Sequence, residues 1–189
     1  MRVSSDIMLA VRVLLDGGVI AYPTEGVWGL GCHPFDRSAV SRLLTIKQRS
    51  VTKGLILLVT EFSMLKNLVA DVTVVEDGIA SRESSLQLTG PTTWLLPALP
   101  TAPVWLTGGT GCIAVRRTEH ELARKLVAQF AMPLISTSAN LSGEPAVTRV
   151  DQLSSTVTAQ VELIVAGTVG DLAKPTPIYD LVSGRRIRG

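Results

Sequence analysis

CIAVRRTEHELARKLVAQFAMPLISTSAN, residues 112–140, carries three successive patterns. Cys112 to Arg116 is a short apolar run that reads as a strand. Thr118 opens T-x-x-E with Glu121, a capping-box signature for a helix to about Phe130. Pro133 stops that helix. Leu134 to Ser136 read as a second strand, which runs directly into Thr137-Ser138-Ala139-Asn140. Strand, helix and strand within 29 residues indicate an α/β chain rather than a bundle or a sandwich.

The same alternation extends outward in both directions. Residues 5–16 predict an amphipathic helix with Met8, Val11, Leu14 and Leu15 inward, stopped by Gly17-Gly18. Val19 to Tyr22 read as a buried strand, and 24–34 as a glycine-containing loop. Asp36 is a candidate N-cap for a helix to about Lys47, with Val40, Leu43 and Leu44 inward. Leu55 to Val59 read as a buried strand, 61–69 as a helix, and Thr92 to Leu96 as a strand. The segment between Leu96 and Cys112 reads as loop. A helix is expected after Val150, and strands at Leu163–Val165 and Ile178–Val182. The closely spaced C-terminal strands predict an antiparallel part. The expectation is one domain over residues 1–189, without repeat or linker.

Composition narrows the chemistry. Hydrophobic residues are 46% of the chain and aromatics only 4%, so the core has to be aliphatic. The two cysteines, Cys32 and Cys112, form no C-x-x-C and suit a reducing, cytoplasmic setting. With two histidines, a zinc cage or a Ser-His-Asp triad is not expected. There is no P-loop signature and no G-x-S-x-G elbow. Gly29-Leu30-Gly31 lacks the third glycine of a dinucleotide fingerprint. No apolar run reaches the roughly 18 residues of a membrane span. A net charge of +2 permits anionic ligands without requiring nucleic acid.

Polar clusters at strand and helix ends remain. Tyr22-Pro23-Thr24-Glu25 precedes Gly26, Gly29 and Gly31, which is either a capped turn or a small polar ligand site. Lys47-Gln48-Arg49, followed by Lys53-Gly54, is either a solvated helix end or a phosphate site. Ser136-Thr137-Ser138-Ala139-Asn140 offers donors and acceptors immediately after an apolar strand. Arg116 and Arg117 end a strand whose alternation turns one of them inward.

With these motifs the chain resembles the YrdC/TsaC family of threonylcarbamoyl-AMP synthases, nearly end to end. The resemblance rests on Ala21-Tyr22-Pro23-Thr24-Glu25, Lys47-Gln48-Arg49, Gly90-Pro91-Thr92-Thr93, Ile113-Ala114-Val115-Arg116 and Ser136 to Gly143. It implies a twisted mixed sheet with helices on its faces and a large basic concave cleft. It also implies a nucleotidyltransferase that makes threonylcarbamoyl-AMP and pyrophosphate from L-threonine, bicarbonate or CO2, and ATP, for t6A modification of tRNA. Thr24, Lys53, Arg116 and Thr176 would then lie on the threonine side. Lys47, Arg49, Ser136, Ser138, Asn140 and Arg188 would lie on the nucleotide side, with Lys47, Arg49, Ser138 and Asn140 as the catalytic set. Mg²⁺ would be held mainly by ATP phosphates. Implied partners are the t6A-complex proteins that accept the product, and RNA or tRNA. The chain departs from the family at Leu88-Thr89, where a tryptophan is usual, and at Pro175-Thr176-Pro177, where Pro177 removes a backbone donor. A non-catalytic double-stranded RNA or tRNA-binding module is the alternative reading. A carbamoyl-adenylate former with another acceptor is a third.

Overall fold

The computed structural model describes residues 2–172 and 176–188, so Pro175 of the C-terminal motif lies outside the described residues. The first half of the chain runs β1 (Val3–Ser4), α1 (Ile7–Leu15), β2 (Ile20–Pro23), β3 (Trp28–Gly31), α2 (Arg37–Lys47), β4 (Ile56–Val59) and α3 (Val72–Ser85). It continues through β5 (Thr93–Pro97), α4 (Val104–Thr107), β6 (Cys112–Arg117), α5 (Glu121–Phe130) and β7 (Leu134–Ser138). The last elements are α6 (Ser155–Gln160), β8 (Leu163–Val165), β9 (Ile178–Asp180) and β10 (Arg186–Arg188).

The strands form one mixed sheet in the order β1-β8-β2-β3-β7-β4-β6-β5-β9-β10. β1 and β2 pair parallel to β8, β4 parallel to β6, and β5 parallel to β9; the other neighbours are antiparallel. Period-two alternation divides the core into two layers. Ile20 and Tyr22, Leu58, Leu134, and Leu163 with Val165 pack against α1 and α5. Ala21, Leu57 with Val59, Ile135 and Ile164 pack on the opposite face with α2 and α6. Helix α5 contributes Leu126, Val127 and Phe130, each at most 3% exposed. Burial of such side chains stabilises by about 1.5–3 kcal/mol apiece.

Several local expectations are corrected. Met8 and Leu15 are more than half exposed, and the buried stripe of α1 is Ala10, Val11 and Leu14. Asp6 caps that helix and sets its phase: its Oδ1 accepts from the Met8 and Leu9 N–H groups. The 24–34 loop contains β3, which forms a hairpin with β2. Glycine disfavours strands intrinsically, but a Cβ on Gly31 would sit 2.8 Å from both the Ile135 carbonyl oxygen and Tyr22 Cε1, so packing demands its absence. Residues 61–69 contain only a 3-10 turn, Phe62–Leu65, yet still bury Phe62, Leu65, Leu68 and Val69. The loop before β6 contains the short α4, and the helical segment after Val150 is a 3-10 turn followed by α6. β9 stops at Asp180, whose Oδ1 accepts from the Ser183 N–H and O–H, both at 2.7 Å, in the turn towards β10. Thr118 does not cap α5. His120 does, its Nδ1 accepting from the Ala123 N–H at 3.3 Å.

Candidate active site

Alternation that buries Leu134 and Leu58 beside α5 also turns Ser136, Ser138 and Ile56 to that face of the sheet. They line a cavity of about 150 Å³ together with Thr24, Gly29, Arg49, Arg116, Thr176 and Arg188. Gly29 lies on its floor: a Cβ there would meet Thr24 Cγ2 at 3.2 Å and Ser136 Oγ at 3.5 Å. The loop at Glu25 and Gly26 is held by 170–172, since Gly170 N–H donates to Thr24 O and Leu172 N–H to Glu25 O. A Cβ on Gly26 would overlap the Leu172 carbonyl.

Helix α2 delivers the first cations. Its N-cap is Asp36, as expected, and it ends at Gln48 in the left-handed conformation, φ 51°. That backbone is strained for a residue with a side chain, by roughly 1 kcal/mol. The turn sends Lys47 and Arg49 to different places. Lys47 is 3% exposed and its ammonium has four oxygen neighbours: Ser138 O at 2.6 Å, Asn140 O at 2.9 Å, Ser138 Oγ at 3.1 Å and Asn140 Oδ1 at 3.2 Å. Ser142 N–H returns a bond to the Lys47 carbonyl at 3.0 Å. Among the described residues no carboxylate neutralises this ammonium, and burial, followed by the charge of Arg49, pulls its pKa down to about 8. Asn140 is likewise committed, its Nδ2 donating to Leu141 O and Glu144 O.

Arg49 does face the cavity. Its Nη2 donates to Lys53 O at 3.3 Å and Gly54 O at 3.1 Å, while its buried Nε has no hydrogen-bond partner among the described residues. Burial, and then the charge of Arg188, hold the Arg49 guanidinium below its ordinary pKa. Arg188 is lowered in the same way by burial and by Arg116. Lys53 itself is exposed on the 3-10 turn Val51–Lys53, outside the cavity wall. The sequence pairs K-x-R and S-x-N therefore divide: Lys47 and Asn140 form a clasp behind the wall, while Arg49 and Ser138 line it.

Arg116 is the inward member of its pair, at 8% exposed, while Arg117 faces the opposite layer and stacks over Phe62 at 5.7 Å. Arg116 Nη2 lies 3.2 Å from Glu25 Oε2, and Nη1 donates to Thr176 Oγ1 at 3.0 Å. Thr176 Oγ1 is also 3.0 Å from Thr93 Oγ1. Glu25 Oε1 accepts from Thr118 Oγ1 at 2.7 Å and from the Glu119 N–H at 3.2 Å. Burial alone would raise the Glu25 pKa, but the Arg116 charge and the Thr118 hydroxyl hold it below the usual carboxylate range. Thr24 Oγ1 donates to Val27 O at 2.7 Å and closes the β2–β3 turn. Tyr22 is wholly buried; its hydroxyl has no aligned partner among the described residues, and burial pushes its pKa well up. Leu88-Thr89 is not part of the cavity wall.

No individual site role was legible for Glu25 or Thr93, and Thr118 read only as a helix cap. Glu25 was visible beside Thr24, but its partners lie about 90 residues away and nothing local announces them. Among the described residues no three His, Cys, Asp or Glu converge as a metal site. Among them, too, no helix is long and apolar enough to cross a membrane.

This cavity brings together Thr24, Arg49, Arg116, Ser136, Ser138 and Thr176 from the motifs whose order along the chain suggested a family. The Sua5/YciO/YrdC family, described as Telomere recombination, matches residues 12–188. The chain belongs to the Sua5/YciO/YrdC family. Its Sua5/YciO/YrdC relatives include a protein of Coxiella burnetii (strain RSA 493 / Nine Mile phase I) named Threonylcarbamoyl-AMP synthase, 44% identical over 179 residues, which are 95% of this chain and 94% of the relative. A protein of Xanthomonas axonopodis pv. citri with the same name is 43% identical over 97% of both chains. Among Sua5 structures, that of P. abyssi Sua5 complexed with L-threonine superposes with a TM-score of 0.83 at 29% identity. The match covers 98% of this chain and 55% of that one, so the chain spans about half the length of the Sua5 it resembles.

Proposed function

We propose that this protein is a threonylcarbamoyl-AMP synthase, a nucleotidyltransferase that joins L-threonine, bicarbonate or CO2, and ATP to give threonylcarbamoyl-AMP and pyrophosphate for t6A modification of tRNA. The observation that carries the reading is the charge balance of the site. Arg49, Arg116 and Arg188 line one cavity, with Lys47 behind its wall at Ser138 and Glu25 as the acid among its lining residues. A concave site with that surplus suits a small, highly charged anion better than the flat face a duplex requires, which favours the enzyme over the RNA-binding alternative.

In this reading the threonine amine attacks CO2, forming an N–C bond and releasing a proton. The carbamate oxygen then attacks the α-phosphorus of ATP, and the bond to the β-phosphate oxygen breaks as pyrophosphate leaves. No covalent enzyme intermediate is required. Arg49, Arg188 and the Ser138 hydroxyl neutralise and orient phosphate oxygens, and Lys47 fixes Ser138 while adding its charge from behind. Arg116 takes the threonine carboxylate, with Thr24 and Thr176 alongside. The donor set does not fit a protein-held Mg²⁺: Glu25 is committed to Arg116 and Thr118, and among the described residues no acidic cluster stands beside it. Any Mg²⁺ would travel with the triphosphate, and none of the steps assigned to side chains runs through it.

Two free thiols, Cys32 buried and Cys112 half-buried, suit a cytoplasmic setting. The proteins that accept the adenylate, and the tRNA itself, complete the proposed partners. The test is pyrophosphate release from ATP: it should require both threonine and bicarbonate.

A further inference from the structure

Arg116 carries two loose ends. Its Nε is buried with no hydrogen-bond partner among the described residues, and Glu25 Oε2, although 3.2 Å from Nη2, is not aligned to accept from it. A guanidinium binds a carboxylate through two parallel N–H groups, so the orientation of its plane decides whether it meets one. Arg116 lines the cavity, and its orientation there is fixed: Nη1 donates to Thr176 Oγ1, and Nη2 lies against Glu25. Glu25 is fixed in turn by the Thr118 hydroxyl and the Glu119 N–H on its far oxygen.

We propose that Glu25, held by Thr118 and Glu119, is the positioning residue that locks the Arg116 fork in the cavity wall, ready for the carboxylate of an α-amino acid substrate. The inference rests on the functional reading above and adds to it the part that sets amino-acid affinity. Stability alone is a poor reason for this pair, because buried ion pairs contribute little net folding energy once desolvation is counted. The arrangement instead places one negative charge behind one arginine among four cations. That holds Arg116 in place before substrate arrives and lowers the ordering cost of binding.

Glu25→Gln is a sharp probe because the amide cannot satisfy both sides. The Glu119 N–H only donates, so the Gln carbonyl oxygen has to stay where Oε1 was. The amide NH2 then faces Arg116 Nη2, donor against donor, and pushes the fork away. Initial rates of pyrophosphate release, varying threonine at saturating ATP and bicarbonate and then ATP at saturating threonine, separate the effects. The expected result is a threonine KM raised about tenfold or more with the ATP KM within about twofold of wild type. Thr118→Val, which removes one anchor of Glu25, should raise the threonine KM several-fold, and Thr118→Ser should restore it. This pair decides the matter if Glu25→Gln does not fold. Unchanged threonine KM in folded Glu25→Gln, or in Thr118→Val, overturns the inference, as does an equal rise in both KM values. Wild-type protein that releases pyrophosphate without threonine overturns the functional reading instead.

Discussion

Replacing Lys47 by methionine keeps most of the apolar stem and removes the charge. The ammonium serves four oxygens at 2.6–3.2 Å, and hydrogen bonds to a charged group contribute about 1.5–3 kcal/mol each. Taken alone, that sum predicts collapse of the fold. Two facts reduce it. Ser138 and Asn140 are half-buried, so water can replace the lost donor, and the ammonium itself is buried at a cost, as its pKa near 8 records. The gain and the penalty nearly cancel, and Lys47→Met should change stability by no more than about 1 kcal/mol at pH 7. Turnover should fall by about a hundredfold or more, because the Ser138–Ser142 loop loses its clasp and the phosphate site loses a charge. The folded pKa lies below the unfolded one, so wild type carries the full penalty at pH 7. It sheds that penalty as pH rises from about 8 towards the unfolded value near 10.5. Wild-type stability relative to Lys47→Met should therefore climb across that window, by at most about 1.4 kcal/mol per pH unit. Urea unfolding at pH 7, 8, 9 and 10, beside steady-state rates at pH 7, reads both quantities. A variant destabilised by several kcal/mol at pH 7, or one with near-normal turnover, would refute the reasoning.

Arg49→Ala should leave the melting temperature within a few degrees and reduce turnover about a hundredfold, since its Nη2 braces only two loop carbonyls while its side chain lines the cavity; wild-type rates would remove it from the site. Arg116→Lys keeps the charge but loses the fork, so calorimetric titration should show threonine binding weakened about tenfold or more. Tyr22→Phe deletes a buried hydroxyl without an aligned partner, and chemical denaturation should find it unchanged or more stable by up to about 1 kcal/mol. Gly26→Ala forces a Cβ into the Leu172 carbonyl and should destabilise by about 1–3 kcal/mol.

What could be read from sequence followed local rules. Asp36 caps α2 because a short acidic side chain reaches the N–H groups two and three residues on, and that rule needs no tertiary context. The Arg116–Arg117 alternation likewise needs only period two. The failures share one cause, contacts across the chain. Trp28–Gly31 reads as loop because glycine disfavours strands, yet Gly31 sits where neighbouring strands leave no room for a Cβ, and a Cβ on Gly29 would press on Thr24 Cγ2. Thr118 and Glu121 match a capping box, but Glu25 claims the Thr118 hydroxyl from 93 residues away. The motifs pointed to the candidate site and left its internal division hidden. Nothing in Lys47-Gln48-Arg49 indicates that a left-handed Gln48 sends one cation behind the wall and the other into the cavity.

The most direct test of the central claim is pyrophosphate release by purified protein supplied with ATP and Mg²⁺, with threonine and bicarbonate each omitted in turn. Release only when both are present, with threonylcarbamoyl-AMP as the adenylate product, is the predicted result. Release at the same rate without threonine would contradict it.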